Sequence, residues 1–250
     1  MKRKVSLAAL AFLALAAALA CAAVGAQLAL RAHRPASAPP MAEGTLAALG
    51  GLRSIAAEIV WFRADRLQEE GRYVELAQLA STLSFLEPHT PEVWSYAAWN
   101  LAYNISIMMP THEDRWRWVH AAIRLLRDEG IVLNPRDPEL YRELAWMFEL
   151  KLGTNLDAAV ETYRAKWREI VEDVARRGAW QELRMEPAAI EEVKRAYGVD
   201  DVADAQFSTL YWAHAGLACA TRREDALFLN EIARQARAIY FRTRGEKKEE

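Results

Sequence analysis

The sequence predicts an all-α protein in which antiparallel helix pairs stack into an α-solenoid behind an apolar N-terminal segment. Three observations carry this reading. Apolar residues recur at three- and four-residue spacing, as in Leu52, Ile55, Ile59, Val60 and Leu67, and again in Leu229, Ile232, Ala233, Ala236 and Ile239, which is the period of one helix face. No stretch alternates with period two for long enough to make a strand. Gly and Pro punctuation then cuts the body into segments of roughly 12 to 22 residues, the length of ordinary helices joined by short turns.

The first segment, residues 1–30, opens with Lys2, Arg3 and Lys4, and from Val5 to Leu30 only Ser6, Gly25 and Gln27 interrupt the apolar residues. As a helix it would be roughly 39 Å long, enough to cross the ~30 Å hydrocarbon layer. It reads as an N-terminal membrane anchor. A cleaved signal sequence is the competitor, because Val24-Gly25-Ala26 offers small residues, although the apolar run exceeds the usual ~7–15 residues. The basic residues before the segment, against Arg31 and Arg34 after it, favour a single pass through a bacterial cytoplasmic membrane with the body on the periplasmic or extracellular side. Residues 31–43 are a Pro/Ala-rich linker, residues 44–243 one helical domain, and residues 244–250 a charged tail.

Within the body, breaks fall at Glu70-Gly71, Pro88–Pro91, Met109–Thr111, Gly130, Pro135–Pro138, Gly153, Pro187 and Gly198. They leave pairs at 52–70 and 73–87, 91–108 and 113–129, and 138–152 and 156–178. A short helix at 187–197 and a last pair at 204–220 and 223–243 follow. Thr90 and Asp137 are expected caps, each followed by Pro at the first helical position and Glu in the first turn. Those two starts belong to a repeated phrase, Pro-x-x-Pro-Glu-[Val/Leu]-[Trp/Tyr]-x-x-x-Ala-Trp, at residues 88–99 and 135–146.

These residues resemble the tetratricopeptide repeat, a 34-residue helix-turn-helix unit. Residues 57–90 fit one unit, with Leu67, Gly71, Tyr73, Leu76, Ala80, Leu83 and Pro88 in place and Arg63 departing from the usual Leu. The second unit, about 91–137, carries Trp94, Ala97, Ala98 and Leu101, and a longer turn around SIMMPTHEDRWRW. The third, 138–178, carries Tyr141, Leu144, Ala145 and Phe148, while 204–243 is a degenerate or capping pair with His214 where a small residue belongs. The chain also resembles uncharacterised membrane-anchored bacterial proteins with such repeats and a similar Ala-Trp-Asn-Leu-Ala-Tyr segment.

The resemblance implies a concave groove lined by the first helix of each pair. Its positions hold Glu58, Trp61, Asp65, Gln68 and Glu69, then Glu92, Ser95, Trp99, Ala102 and Tyr103, then Glu139, Arg142, Trp146, Glu149 and Leu150. Such a groove is acidic and rich in tryptophan. It suits a basic or amphipathic protein segment held by Trp99, Tyr103, Trp146 and Arg142, with Trp61 and Asp65 next. The competing expectation is that further helices fill the groove and turn its tryptophans into core. Repeats that grip a C-terminal carboxylate need Lys, Asn and Arg at positions occupied here by Trp61, Asp65, Tyr96, Trp99, Glu139 and Glu143, so that mode is not expected.

Composition narrows function further. The net charge is −2, which leaves no basic surplus for nucleic acid. Cys21 and Cys219 are the only cysteines, too few and too far apart for a Cys-based metal site. Nucleotide, hydrolase and zincin motifs are absent. His112, Glu113, Asp114 and His120 are the best metal candidates, although Thr111 capping a helix with acids in its first turn explains most of them. The expectation is therefore a non-catalytic scaffold for protein–protein interaction at the cell envelope, without a cofactor. The alternative is an envelope enzyme or an accessory subunit of a polymer-assembling complex.

Overall fold

The computed structural model describes residues 56–249. The chain divides into two compact units, Met1–Phe62 and Arg63–Glu250. The expected anchor and linker lie outside the described residues. No helix among those described is long and apolar enough to cross a membrane.

The described residues are helical throughout, with no strand. Helix α1 covers residues 56–69 and ends at Gly71, whose φ of 69° suits a residue without a Cβ. Helix α2 (Tyr73–Leu86) buries Leu76, Ala80 and Leu83 on one face. Then follow α3 (Pro91–Trp99), α4 (Ser106–Met108), α5 (His112–Arg124), α6 (Ile131–Leu133), α7 (Pro138–Met147), α8 (Val160–Arg177), α9 (Pro187–Tyr197), α10 (Ala205–Cys219) and α11 (Arg223–Glu249). Three wider π-helical turns interrupt them: π1 (Asn100–Ile105), π2 (Leu125–Gly130) and π3 (Phe148–Gly153).

The repeated phrase has a concrete structural role. In its first copy Trp94 Nε1 donates to the carbonyl of Pro88 at 3.0 Å, and in its second the Tyr141 hydroxyl donates to the carbonyl of Pro135 at 2.9 Å. Proline lacks an N–H but keeps its acceptor, and only Trp or Tyr combines an apolar ring with a donor at the tip. Asn134 Nδ2 donates to the same Pro88 carbonyl at 2.9 Å and to Gly130 at 3.1 Å, tying the two copies together. Asp137 caps α7 by accepting from the Glu139 N–H at 2.9 Å. Thr90 sits extended at the N-cap of α3 but makes no side-chain cap, contrary to expectation. The backbone supplies the bond instead, with the Val93 N–H reaching the Thr90 carbonyl at 3.2 Å.

Both copies then run directly into a π turn, π1 after Trp99 and π3 after Met147. A π turn widens the helix and redirects the side chains beyond it. Phe148, Glu149, Lys151, Leu152 and Gly153 are all buried on π3, which no single α-helical face could achieve.

Helices distant in sequence pack together. Helix α3 lies against α7, α5 against α8, and α7 against α10. Helix α10 also touches π3, α8, α9 and α11. Every residue from Ala205 to Ala213 is buried, so α10 has no solvent face in that stretch. Gln206 Nε2 donates to Gly153 at 3.0 Å while its Oε1 is buried without a partner, and Ser208 Oγ accepts from Trp167 Nε1 at 2.9 Å. The C-terminal pair, which the sequence places at the end of the stack, thus supplies an enclosed core helix.

Gly216 lets α10 approach its neighbours. A Cβ there would stand 2.8 Å from Tyr141 Cβ and 3.1 Å from both Leu229 methyl groups. Gly216→Val is expected to cost roughly 1–3 kcal/mol by overpacking, lowering the melting temperature by about 2–4 °C for each kcal/mol lost. Circular dichroism melts check this, and an unchanged melt would mean that α7, α10 and α11 separate easily.

Candidate functional site

The site is built on the far ends of α3 and α7, where each turns into its π segment. Trp99 closes α3 and is 43% exposed, while its ring stacks on Tyr103 of π1 at 5.8 Å with planes 30° apart. Tyr103 is half-buried. Its other contact is a cation: Lys151 Nζ of π3 lies 4.9 Å from the ring centroid. Burial, then the carboxylates of Glu143 and Glu149, push the Tyr103 hydroxyl far above its usual range, so it remains a neutral donor.

Trp146 and Arg142 form a second cluster, joined through a residue that the sequence reading did not single out. Phe228 of α11 stacks on Trp146 at 5.1 Å, and the Arg142 guanidinium lies 5.4 Å from the same ring. Arg142 also donates to Glu143 at 3.0 Å. Trp146 is half-buried by this contact, so α11 covers part of the face that repeat geometry leaves open. The only signal for Phe228 is its place in the apolar run Ala226–Leu229, which says nothing of its partner.

The two remaining predicted residues lie elsewhere. Trp61 is half-buried and belongs to the Met1–Phe62 unit. Asp65 is exposed, and its charge acts on Tyr96, whose hydroxyl donates to Gln68 at 2.6 Å and is raised first by burial and then by Asp65. The structure therefore groups Trp99 with Tyr103, and Arg142 with Trp146, and leaves Asp65 apart from both.

Two carboxylates have raised pKa values. Glu139 accepts a bond from Ser95 Oγ at 3.3 Å, and burial and then Glu92 push its pKa up against the opposing charge of Arg142. Glu149 is only 6% exposed. No hydrogen bond or ion pair reaches its carboxylate among the described residues, and burial, with Glu231 of α11 adding repulsion, pushes its pKa up to about 6.

Behind Tyr103 is a cluster of the opposite kind, fully paired. Lys151, 5% exposed, donates to Asp157 Oδ2 at 2.9 Å and reaches Ser106 Oγ at 3.5 Å. Asp157 also accepts from the Tyr163 hydroxyl at 3.2 Å and the Ala159 N–H at 3.0 Å, with Arg115 3.6 Å away. Burial alone would raise the Asp157 pKa, but the Ala159 N–H and Lys151 outweigh it and hold the carboxyl below its usual range. A cavity of about 300 Å³ opens beside the cluster, lined in part by Tyr103, Ile107, Arg115, Leu150 and Lys151. This arrangement ties the loop before α8 to π1 and π3. Sequence reasoning missed it because Lys151 looks like an ordinary helix-end cation; its one signal is a Lys inside the run Phe-Glu-Leu-Lys-Leu-Gly.

The metal candidates have other partners. Thr111 Oγ1 caps α5 by accepting from the Asp114 N–H at 3.0 Å, Asp114 pairs with Arg117 at 3.0 Å, and Glu113 with Lys166 at 3.4 Å. His120 stacks on Trp116 at 5.1 Å, and burial with Arg127 and Arg124 lowers its pKa to about 4. Among the described residues no group of three or more His, Cys, Asp or Glu is placed to hold a metal ion. Compared with protein-family models, curated proteins and solved structures, the chain has no match.

The Lys151–Asp157 pair yields a stability prediction. Lys151→Met strands a buried carboxylate and is expected to cost about 3–5 kcal/mol at neutral pH, measured by urea unfolding. Because the folded pKa of Asp157 is depressed, the stability it contributes is present above its unfolded pKa and is lost as pH falls through the folded value. The gap between wild type and Lys151→Met should therefore narrow on acidification. A gap that widens would exclude this pairing.

Proposed function

We propose that this chain is a non-catalytic, membrane-tethered scaffold of tetratricopeptide-like helix pairs that holds a basic or amphipathic segment of a partner protein at the cell envelope. One observation carries the reading. Trp99 exposes 43% of its surface while its ring is braced by Tyr103 at 5.8 Å. A large aromatic already held rigid loses little entropy on binding and buries much area, which is what interface anchors do. Around it, burial and then Glu92 raise the pKa of Glu139, and burial and then Glu231 raise that of Glu149. A positively charged segment would relieve that field.

Support for the tether is the apolar run from Val5 to Leu30 and its basic start. The paired aromatic-to-proline bonds and the succession α3, α7, α10 support a repeat-like stack.

The two tryptophans separate binding from folding. Trp99→Ala should leave helicity and melting temperature unchanged but reduce recovery of crosslinked partners from intact membranes by about tenfold or more, the size of an interface hot spot. Trp146→Ala should lower the melting temperature, because its ring packs on Phe228. Unchanged partner recovery with Trp99→Ala would remove this face as the interface.

A further inference from the structure

We propose that the cavity between α8, α10 and α11 binds a neutral carbohydrate, with Gln206 accepting a hydrogen bond from one of its hydroxyl groups. This site stands apart from the acidic, aromatic face and does not depend on a protein partner there. The cavity holds about 420 Å³, within the range of small-molecule sites. Gln206 forms part of its wall at 3% exposure. Its amide has one orientation, because Nε2 donates to the Gly153 carbonyl at 3.0 Å and an oxygen in that place would face another acceptor. A Cβ on Gly153 would collide with Nε2, so the amide lies directly against bare backbone. What remains is Oε1, a buried acceptor with no donor among the described residues. Buried amide oxygens normally have one, because leaving the bond unmade is costly.

The rest of the wall limits which ligand supplies that donor. Two cations and two acids line it, Arg164 and Arg168 against Glu161 and Asp204. Each is already in an ion pair: Arg164 meets Glu161 at 2.7 Å, Arg168 meets Asp201 at 2.9 Å, and Asp204 meets Arg244 at 3.0 Å. The charges on the wall cancel, so a charged ligand would lose its hydration without gaining a counter-ion. An apolar ligand would leave Oε1 unpaired. A neutral ligand that carries donors meets both conditions.

Hydroxyl groups suit the wall because each donates and accepts through a single atom. Beside the Gln206 acceptor, Arg164 donates to Glu161 and to the carbonyls of Leu152 and Thr154, and a guanidinium has five N–H groups, more than these bonds use. The Thr243 hydroxyl donates to the Ile239 carbonyl at 3.1 Å and keeps lone pairs for a further donor. Ala165 and Ile239 add apolar surface. A sugar ring combines neighbouring hydroxyls with an apolar C–H face and carries no charge, which matches this wall.

The test uses the full chain in a detergent without a sugar headgroup. Saturation-transfer NMR reads binding of glucose, mannose and N-acetylglucosamine, with acetate, methylammonium and a capped trialanine as comparisons. At least one sugar should bind, and the comparisons should not. Gln206→Leu, similar in size but without the acceptor, should weaken that sugar by about tenfold or more. Ala165→Phe fills the cavity from an exposed position of α8 and should abolish binding with the melting temperature unchanged. Ala238→Phe, the same bulk at an exposed position of α11 outside the lining, should change binding less than about twofold. Gln206→Leu also takes the donor from the Gly153 carbonyl, so a loss of fold in that variant leaves Ala165→Phe to decide the outcome. Transfer to none of the sugars would mean that solvent alone meets Oε1 and would overturn the proposal, as would transfer only to the peptide or the ions. Sugar binding that survives Ala165→Phe, or that Ala238→Phe weakens equally, would place the sugar elsewhere and also overturn it. Loss with Ala165→Phe but not with a folded Gln206→Leu would overturn the role of Gln206.

Discussion

Burial of α10 on every side from Ala205 to Ala213 is the constraint from which the rest of the domain takes its shape. A helix without a solvent face must be surrounded, so α7, α8, α9, π3 and α11 are all placed by their contact with it. Its few polar side chains become specific connectors, because a buried hydroxyl or amide without a partner is expensive. Gln206 therefore meets the end of π3, and Ser208 meets Trp167 of α8. The close approach at Gly216 brings Tyr141 and Leu229 to the same point. In this way the last helix pair decides how much of the face on α7 stays open.

The π turns connect that packing to the site. Each first helix ends its regular course at the Ala-Trp of the repeated phrase and widens within two residues. In π3 this places Glu149, Lys151 and Gly153 in buried positions of different character. Lys151 enters a closed network with Asp157, Tyr163 and Ser106. Glu149 is enclosed as well, and burial raises its pKa. Two charges two residues apart thus acquire different surroundings, and one of them is a fastener between loop and core.

The acidic, aromatic face is coherent physically because Tyr103 belongs to both sides. Its ring braces Trp99 outward and receives Lys151 inward, while its hydroxyl feels Glu143 and Glu149. Displacing Tyr103 would disturb the exposed anchor and the buried cation together. That shared dependence couples the loop before α8 to the position of the exposed Trp99 ring.

The sequence by itself determined the helices, most of their starts and the role of Pro-Glu in the repeated phrase. Those follow from local rules: apolar spacing and Pro at the first helical position. Only the tertiary structure decided that Trp146 is covered by Phe228 while Trp99 is not, and that Lys151 finds Asp157. The reason is the same in each case. Periodicity identifies the side of a helix that needs cover, but the covering element comes from another part of the chain, and a residue's exposure depends on whether that element arrives.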